Sequence, residues 1–211
     1  MSLLEGRSAG SRPRRGLILA VLLGCGALGS VQGAAPPSQG EPKQRYQRST
    51  VEVDVPDVTL VDQGGKHVRL RALLAAGHPV ALNFFFASCR SICPVMTATF
   101  ASMRTRLGKA QDLTVVSVTI DPEQDTPDVL RTYAESFSAG AGWTFLTGDP
   151  DAVQAVQSAF GADAGGKFNH RPLFYLRSPG ASSWVKLEGL AGAADLASEV
   201  RLLSAPRSAV R

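Results

Sequence analysis

The alternation of apolar and polar positions predicts that strands and helices succeed one another along the middle of the chain. Residues 80–86 are bulky and apolar except for Asn83, as in a strand buried on both faces. Residues 93–107 carry an apolar stripe at helical spacing, and Pro94 suits the first turn of a helix. Residues 113–120 are mostly β-branched and predict a second buried strand. Two parallel strands joined through a helix, in a right-handed βαβ unit, are therefore expected.

The same patterns and the turn residues between them predict the remaining elements. In chain order these are a strand over 51–54, a β-hairpin of 58–61 and 67–70, a helical turn over 71–76, a helix from Pro127 to about 137, a strand over 143–146, a helix over 150–160, strands over 173–177 and 184–187, and a helix over 194–203. A βαβ unit followed by ββα is the thioredoxin-like plan. We therefore expect an α/β, thioredoxin-like fold with a central mixed sheet flanked by helices, plus an N-terminal β-hairpin.

The N-terminal segment, residues 1–33, has the layout of a signal sequence or membrane anchor. A basic stretch is followed by an apolar core over 17–28 and then by small and polar residues. The apolar core is short for a membrane span, which needs roughly 20 residues. Cys25 lies in a Leu-Leu-Gly-Cys stretch that resembles a bacterial lipobox. Lipidation of Cys25, an uncleaved anchor and ordinary cleavage all remain open. Each places the body on the periplasmic side of the bacterial inner membrane, or in an extracytoplasmic lipoprotein.

Composition limits the class of protein without identifying it. The 211 residues suffice for one domain and an appendage. Residues 34–50 are rich in proline, glutamine, glycine and charge, which predicts a flexible tether before a domain over 51–205. The formal net charge is +4, but arginines in the N-terminal segment account for most of it. The body is nearly neutral, so no nucleic-acid partner is predicted, and membrane contact is expected only through the N-terminal segment.

Two cysteines, Cys89 and Cys93, follow the predicted buried strand and open its helix. They lie at the carboxyl end of a central strand, where open α/β sheets place their sites. Residues four apart on a helix share a face, with Cα atoms about 6 Å apart, which a disulfide can bridge. The helix N-terminus favours thiolate, which both metal binding and redox attack require. The spacing is compatible with a disulfide, a metal site or two unrelated core thiols.

Of the three histidines, only His170 is expected near these thiols. It stands at the mouth of the strand over 173–177, after a glycine-bearing segment. His78 lies at the far end of the 80–86 strand, more than ~20 Å away, and His67 is on the hairpin. Alone, His170 is more typical of an ordinary loop histidine. With two thiolates it would complete a soft ligand set that suits Cu(I) or Zn(II), although no fourth ligand of a structural zinc site is evident.

Three further side chains are weaker candidates. Met96 could donate a thioether sulfur, but its place on the apolar stripe favours core packing. Asp121 and Glu123 follow the second buried strand and are expected to approach the same rim, where a carboxylate would order the site or assist Cu(II). Turn and helix-cap chemistry is at least as good an interpretation, with Asp125 or Thr126 as the cap.

Three stretches resemble motifs of the SCO/SenC family, in the same order. They are Phe-Phe-Phe-Ala-Ser-Cys-Arg-Ser-Ile-Cys-Pro over 84–94, Asp-Pro-Glu-Gln-Asp-Thr-Pro over 121–127, and Asn-His-Arg-Pro-Leu over 169–173. The resemblance spans about 51–203 and implies an extracytoplasmic, membrane-tethered, thioredoxin-like copper protein. It implies that Cys89, Cys93 and His170 bind copper, as Cu(I) and possibly also as Cu(II).

The resemblance also implies a function, which is assistance in assembling the copper centre of cytochrome c oxidase. The expected partner is the copper-site subunit of that oxidase or another copper client. Many family members carry an acidic residue between the cysteines, whereas this chain has Arg90-Ser-Ile there, which leaves the client open.

Two other functions use the same thiols. A thiol–disulfide oxidoreductase would use Cys89 and Cys93 as a redox pair on the cysteines of a copper-site client. A thiol peroxidase would need polar partners for peroxide, which the sequence does not indicate. His170 separates copper binding from dithiol exchange, because only copper binding needs its imidazole.

Overall fold

A fully buried strand lies in the middle of an eight-stranded sheet in the computed structural model, which describes residues 45–108 and 112–204. The strands are β1 (Tyr46–Glu52), β2 (Thr59–Asp62), β3 (His67–Arg69), β4 (Val80–Phe85), β5 (Thr114–Thr119), β6 (Trp143–Thr147), β7 (Leu173–Arg177) and β8 (Ser183–Gly189). The helices are α1 (Leu70–Leu74), α2 (Ile92–Leu107), α3 (Pro127–Ser136), α4 (Pro150–Phe160) and α5 (Ala193–Ser204), with a 3-10 turn at Lys167–Asn169. The strand order is β1-β8-β7-β4-β5-β6-β2-β3.

The pairing of the central strands confirms the predicted mixed α/β sheet. β4 runs parallel to β5, from the pair Val80 and Thr114 to the pair Phe85 and Thr119, and β5 runs parallel to β6. β7 is antiparallel to both β4 and β8, which completes the ββα half. The predicted hairpin is β2 and β3, and it joins the sheet through antiparallel pairing of β2 with β6.

Each face of the sheet has its own apolar core, and β4 contributes to both. Every residue of β4 is buried, as its sequence predicts. Phe85 belongs to the core beneath α2, α3 and α5, whereas Phe84 belongs to the core on the side of α4. In a strand, successive side chains point to opposite faces. β4 is therefore fixed from both sides, and its carboxyl end is a rigid base for the residues that follow.

The flexible tether predicted over 34–50 is wrong in its last residues. Tyr46–Glu52 forms β1, which pairs antiparallel with β8 from Tyr46 opposite Gly189 to Glu52 opposite Ser183. The domain therefore begins before residue 51. Most of β1 is exposed, so the segment lacks the apolar alternation by which a strand is recognised in sequence. Its order comes from the hydrogen-bonding partner that β8 supplies at the sheet edge.

The predicted signal or anchor over 1–33, with Cys25, lies outside the described residues, as does the tether up to residue 44. Within residues 45–108 and 112–204, no helix has both the length and the apolar character needed to cross a membrane.

Candidate metal and thiol site

The two cysteines lie at the carboxyl end of β4, as predicted. Cys89 is in the loop after β4, where its backbone N–H donates to the carbonyl of Phe86 at 3.2 Å. Cys93 is the second residue of α2 and is followed by Pro94. Both cysteines are free thiols. Cys93 is fully enclosed, whereas Cys89 keeps 8% of its surface exposed.

The surroundings of the two thiols separate their pKa values. Burial by itself would raise the pKa of Cys89, but hydrogen bonds from the backbone N–H groups of Cys93 and Ser91, and from the Ser91 side chain, lower it to about 7. The Cys89 sulfur and the Ser91 hydroxyl oxygen are 3.6 Å apart. Deeper burial raises the pKa of Cys93 to about 12, and the negative charges of Cys89 and Asp125 add to this rise. Near neutral pH the pair therefore offers a thiolate at Cys89 and a protonated thiol at Cys93.

His170 comes directly after the 3-10 turn, and its imidazole Nε2 lies 3.0 Å from the backbone carbonyl oxygen of Phe84. A carbonyl can only accept, so this contact requires the proton on Nε2 and leaves the lone pair on Nδ1. Nδ1 is buried and has no hydrogen-bond partner. Burial lowers the pKa of His170, partly offset by the Phe84 carbonyl, which favours a neutral ring. The imidazole thus has the tautomer of a metal ligand whose second nitrogen is fixed by the backbone.

The structure brings the predicted ligands to one rim without joining them into a metal site. Cys89 and Cys93 interact directly through their side chains. His170 lies at the carboxyl end of the same strand, bonded to Phe84. Among the residues that the structure describes, no three His, Cys, Asp or Glu side chains are placed to hold a metal ion together. That the two thiols and His170 share one ion stays a prediction, and it requires the imidazole and the sulfurs to move closer together.

Asp125 has a role that the sequence did not indicate. Thr126 caps α3, accepting from the backbone N–H of Val129 at 3.4 Å. Asp125 instead points inward, where its carboxylate Oδ2 accepts from the backbone N–H of Ala87 at 3.0 Å and from the Thr119 hydroxyl. Burial raises the pKa of Asp125. This carboxylate therefore supports, from inside the protein, the loop between β4 and α2 that carries Cys89, here called the cysteine loop.

The other two acidic candidates lie in the same turn but differ in burial. Asp121 is buried and forms an ion pair with Lys167, with Nζ 2.6 Å from Oδ2. Glu123 is exposed. Met96 is 1% exposed within the core beneath α2, which confirms core packing. Lys167 was missed because nothing in its sequence context distinguishes it from an ordinary surface lysine.

A model of the SCO1/SenC family matches residues 48–203. The SCO1 protein homolog of Bacillus subtilis (strain 168) is 34% identical over 104 residues, which are 48% of this chain and 52% of that protein. A Stutzerimonas stutzeri protein named as a candidate copper-binding protein is 33% identical over 112 residues, 51% of this chain and 52% of its own. The chain thus spans about half the length of these two relatives.

Among solved structures, BsSco is 28% identical, with a TM-score of 0.61 over 74% of this chain and 95% of BsSco. That structure is described as showing a disulfide switch in a member of the Sco family of cytochrome c oxidase assembly proteins. The likeness confirms the predicted thioredoxin-like fold and the resemblance drawn from the three motifs.

Proposed function

This chain belongs to the SCO1/SenC family, and on that premise we propose that it is an extracytoplasmic copper-binding protein that assists assembly of the copper centre of cytochrome c oxidase or of another copper client. The observation that carries the proposal is the meeting, at one rim, of a thiol pair and an imidazole whose Nδ1 is buried and unpartnered. The name of the Stutzerimonas stutzeri relative and the description of BsSco support it.

The donor set fits copper in its reduced state. Two cysteine sulfurs and one imidazole nitrogen are soft ligands that select Cu(I), which tolerates low coordination. Cys89 supplies a thiolate near neutral pH because its pKa is about 7. Cys93 must lose its proton on binding, because its pKa is raised to about 12. Binding of the cargo ion should therefore release a proton.

The location is part of the proposal. The signal or anchor sequence over 1–33 would place the domain on the periplasmic side of the bacterial inner membrane, attached through this segment or through a lipid on Cys25. An extracytoplasmic thiol pair meets an oxidising compartment, so it must be reduced before it can take up copper.

A titration with Cu(I) tests the proposal. We expect the reduced chain to bind one Cu(I), and the oxidised chain, with Cys89 and Cys93 joined, to bind none. Cys89→Ser and Cys93→Ser should abolish tight binding, and His170→Ala should weaken it. Unchanged copper retention in either serine variant would refute the site.

A thiol–disulfide oxidoreductase acting on a copper-site client is the second candidate, favoured by the asymmetry of the pair. A more exposed thiolate at Cys89 beside an enclosed thiol at Cys93 is the arrangement of an attacking and a resolving cysteine. His170→Ala separates the two functions, since dithiol exchange does not need the imidazole. In this variant, reduction of a disulfide-linked peptide at the wild-type rate, with weakened Cu(I) binding, would show that copper binding uses His170 and dithiol exchange does not.

A further inference from the structure

The segment that carries His170 has few ties to the rest of the fold. Every residue from 163 to 172 is exposed or half-buried, and the regular structure described here is one 3-10 turn. Gly165 and Gly166 have φ of 72° and 145°, values that glycine adopts readily, and neither residue has a side chain to pack against the fold. Such a segment is held by individual side chains, and its local stability depends on them.

Side-chain contacts that tie this segment to other elements lie on three sides. Asp163 accepts from Gln154 of α4, and Arg171 pairs with Glu188 of β8, with Nη1 2.6 Å from Oε1. On the side of the cysteines, Lys167 contacts Asp121 and the Phe86 ring, and His170 contacts the backbone of Phe84. The bond of His170 is to Phe84, and a metal that draws the imidazole toward the thiols would strain or break it. On the side of the cysteines, the contact that would persist without the imidazole is therefore the one made by Lys167.

Lys167 contacts both neighbouring loops. Its Nζ lies 2.6 Å from Asp121 Oδ2 in the turn after β5. The same Nζ lies 5.9 Å from the centre of the Phe86 ring, and Phe86 immediately precedes the cysteine loop. Asp121 is 9% exposed, so its carboxylate depends on this partner more than a surface carboxylate would.

The turn after β5 also holds the cysteine loop. The backbone N–H of Asp121 donates to the Thr119 hydroxyl oxygen at 3.0 Å, and that hydroxyl donates to Asp125. Asp125 in turn accepts from the backbone N–H of Ala87. A continuous chain of hydrogen bonds thus joins Lys167, before the histidine, to Ala87, before the first cysteine.

From this chain of contacts we infer that Lys167 is a positioning residue, whose ion pair with Asp121 holds the His170 loop in place beside the cysteine loop. The backbone N–H of His170 donates to the carbonyl of Lys167 at 3.3 Å, so the 3-10 turn couples the two residues. Holding the loop in advance reduces the entropy lost when the imidazole becomes a ligand. The copper part of this inference rests on the proposed function, whereas the anchoring itself does not.

Hydrogen exchange of the copper-free, full-length protein tests the anchoring. Lys167→Met keeps the aliphatic stem and removes the ammonium group. Amides of residues 163–170 should exchange about 10-fold faster in this variant, and Lys167→Arg should restore protection. Arg171→Met is the matched comparison, since it removes the same charge from the same loop but breaks the more exposed pair with Glu188, so it should accelerate exchange less than Lys167→Met does. Equal exchange in wild type and Lys167→Met would overturn the inference, as would equal acceleration in both methionine variants.

A copper titration tests whether Lys167 acts through His170. Lys167→Met should lower the Cu(I) affinity about 10-fold, the lower end of the effect of removing a group that supports a ligand. In a His170→Ala background it should have no further effect, because the imidazole that it positions is gone. An equal loss in both backgrounds would overturn the positioning role. Failure of the wild type to bind Cu(I) would refute the proposed function, while the exchange result would still decide the anchoring.

A second variant guards against loss of folding. Lys167→Met leaves the Asp121 carboxylate buried without its partner, which can lower global stability. The double variant Asp121→Asn, Lys167→Met removes that charge. It should recover stability while keeping the fast exchange of 163–170, and recovery of slow exchange would overturn the inference.

Discussion

The carboxylate of Asp125 accepts the backbone N–H of Ala87 at 3.0 Å, two residues before Cys89. Asp125 is 1% exposed, so this bond fixes the cysteine loop from inside the protein. The loop conformation is therefore set by a residue 36 positions further along the chain than Cys89.

Removal of this carboxylate should loosen the cysteine loop. Asp125→Ala leaves the Ala87 N–H and the Thr119 hydroxyl without their acceptor. We expect the free energy of unfolding to fall by about 1–3 kcal/mol, measured by chemical denaturation, and the Ala87 amide to exchange faster. Asp128→Ala, at an exposed carboxylate on α3, is the control and should change stability by less than about 0.5 kcal/mol. Equal effects of the two substitutions would contradict the supporting role of Asp125.

Alkylation of the reduced protein should be selective and pH-dependent. Cys89 should react with a midpoint near pH 7, because its pKa is lowered to about 7. Cys93 should stay unmodified across the neutral range, because it is enclosed and its pKa is raised to about 12. Peptide mapping after iodoacetamide treatment at a series of pH values measures both rates.

Ser91 provides the control for the alkylation profile. Ser91→Ala removes the hydroxyl that interacts with the Cys89 sulfur at 3.6 Å and should move the midpoint upward. Modification of both cysteines at similar rates would show that the asymmetry of the pair is wrong.

The tautomer of His170 can be read directly. Nitrogen NMR of the copper-free protein at pH 7 should show a neutral imidazole protonated at Nε2, because Phe84 offers a carbonyl to that nitrogen. Burial lowers the pKa of His170, so the ring should remain neutral as the pH falls through 6.5. His170→Ala assigns the signal by its loss. A proton on Nδ1 would contradict the described orientation and leave Nε2 as the only nitrogen able to bind a metal.

The edge strand β1 should contribute to stability through Arg48. Its Nε lies 2.9 Å from Glu199 Oε1 on α5, and the Glu199 side chain is 10% exposed. Arg48→Met should lower the free energy of unfolding by about 1–3 kcal/mol, since a mostly buried carboxylate is left unpaired. Arg131→Met breaks the exposed pair with Asp128 and should cost no more than about 0.5 kcal/mol. A neutral Arg48→Met would indicate that this pair does not help to hold β1 on the domain.

The difference between what the sequence predicted and what it did not follows from the range of the interactions. β4 was predicted because all of its residues are buried, so that apolar character runs along the whole strand. The thiol turn was predicted because it directly follows that strand. The predicted strand over 51–54 met only the end of β1, and residues 46–50 escaped prediction because their order comes from β8, more than 130 residues away, and most of the side chains of β1 face solvent.

The site shows the same limit at the level of single residues. Cys89, Cys93 and His170 were predicted from their chemistry, their places at strand ends and the family resemblance, and their joint binding of a metal stays a prediction. The importance of Lys167 and Asp125 depends instead on where three separate loops approach one another. No local pattern records such an approach, so only the folded arrangement reveals it.

Cys93 is completely enclosed, whereas Cys89 is more accessible, so a partner that approaches the pair from solvent would meet Cys89 first. Under the proposed function, a copper ion would first bind the Cys89 sulfur and only then the Cys93 sulfur. Release would follow the reverse order, with the Cys93 sulfur leaving the ion before the Cys89 sulfur. Cys89 would then be both the first residue to bind the ion and the last to release it.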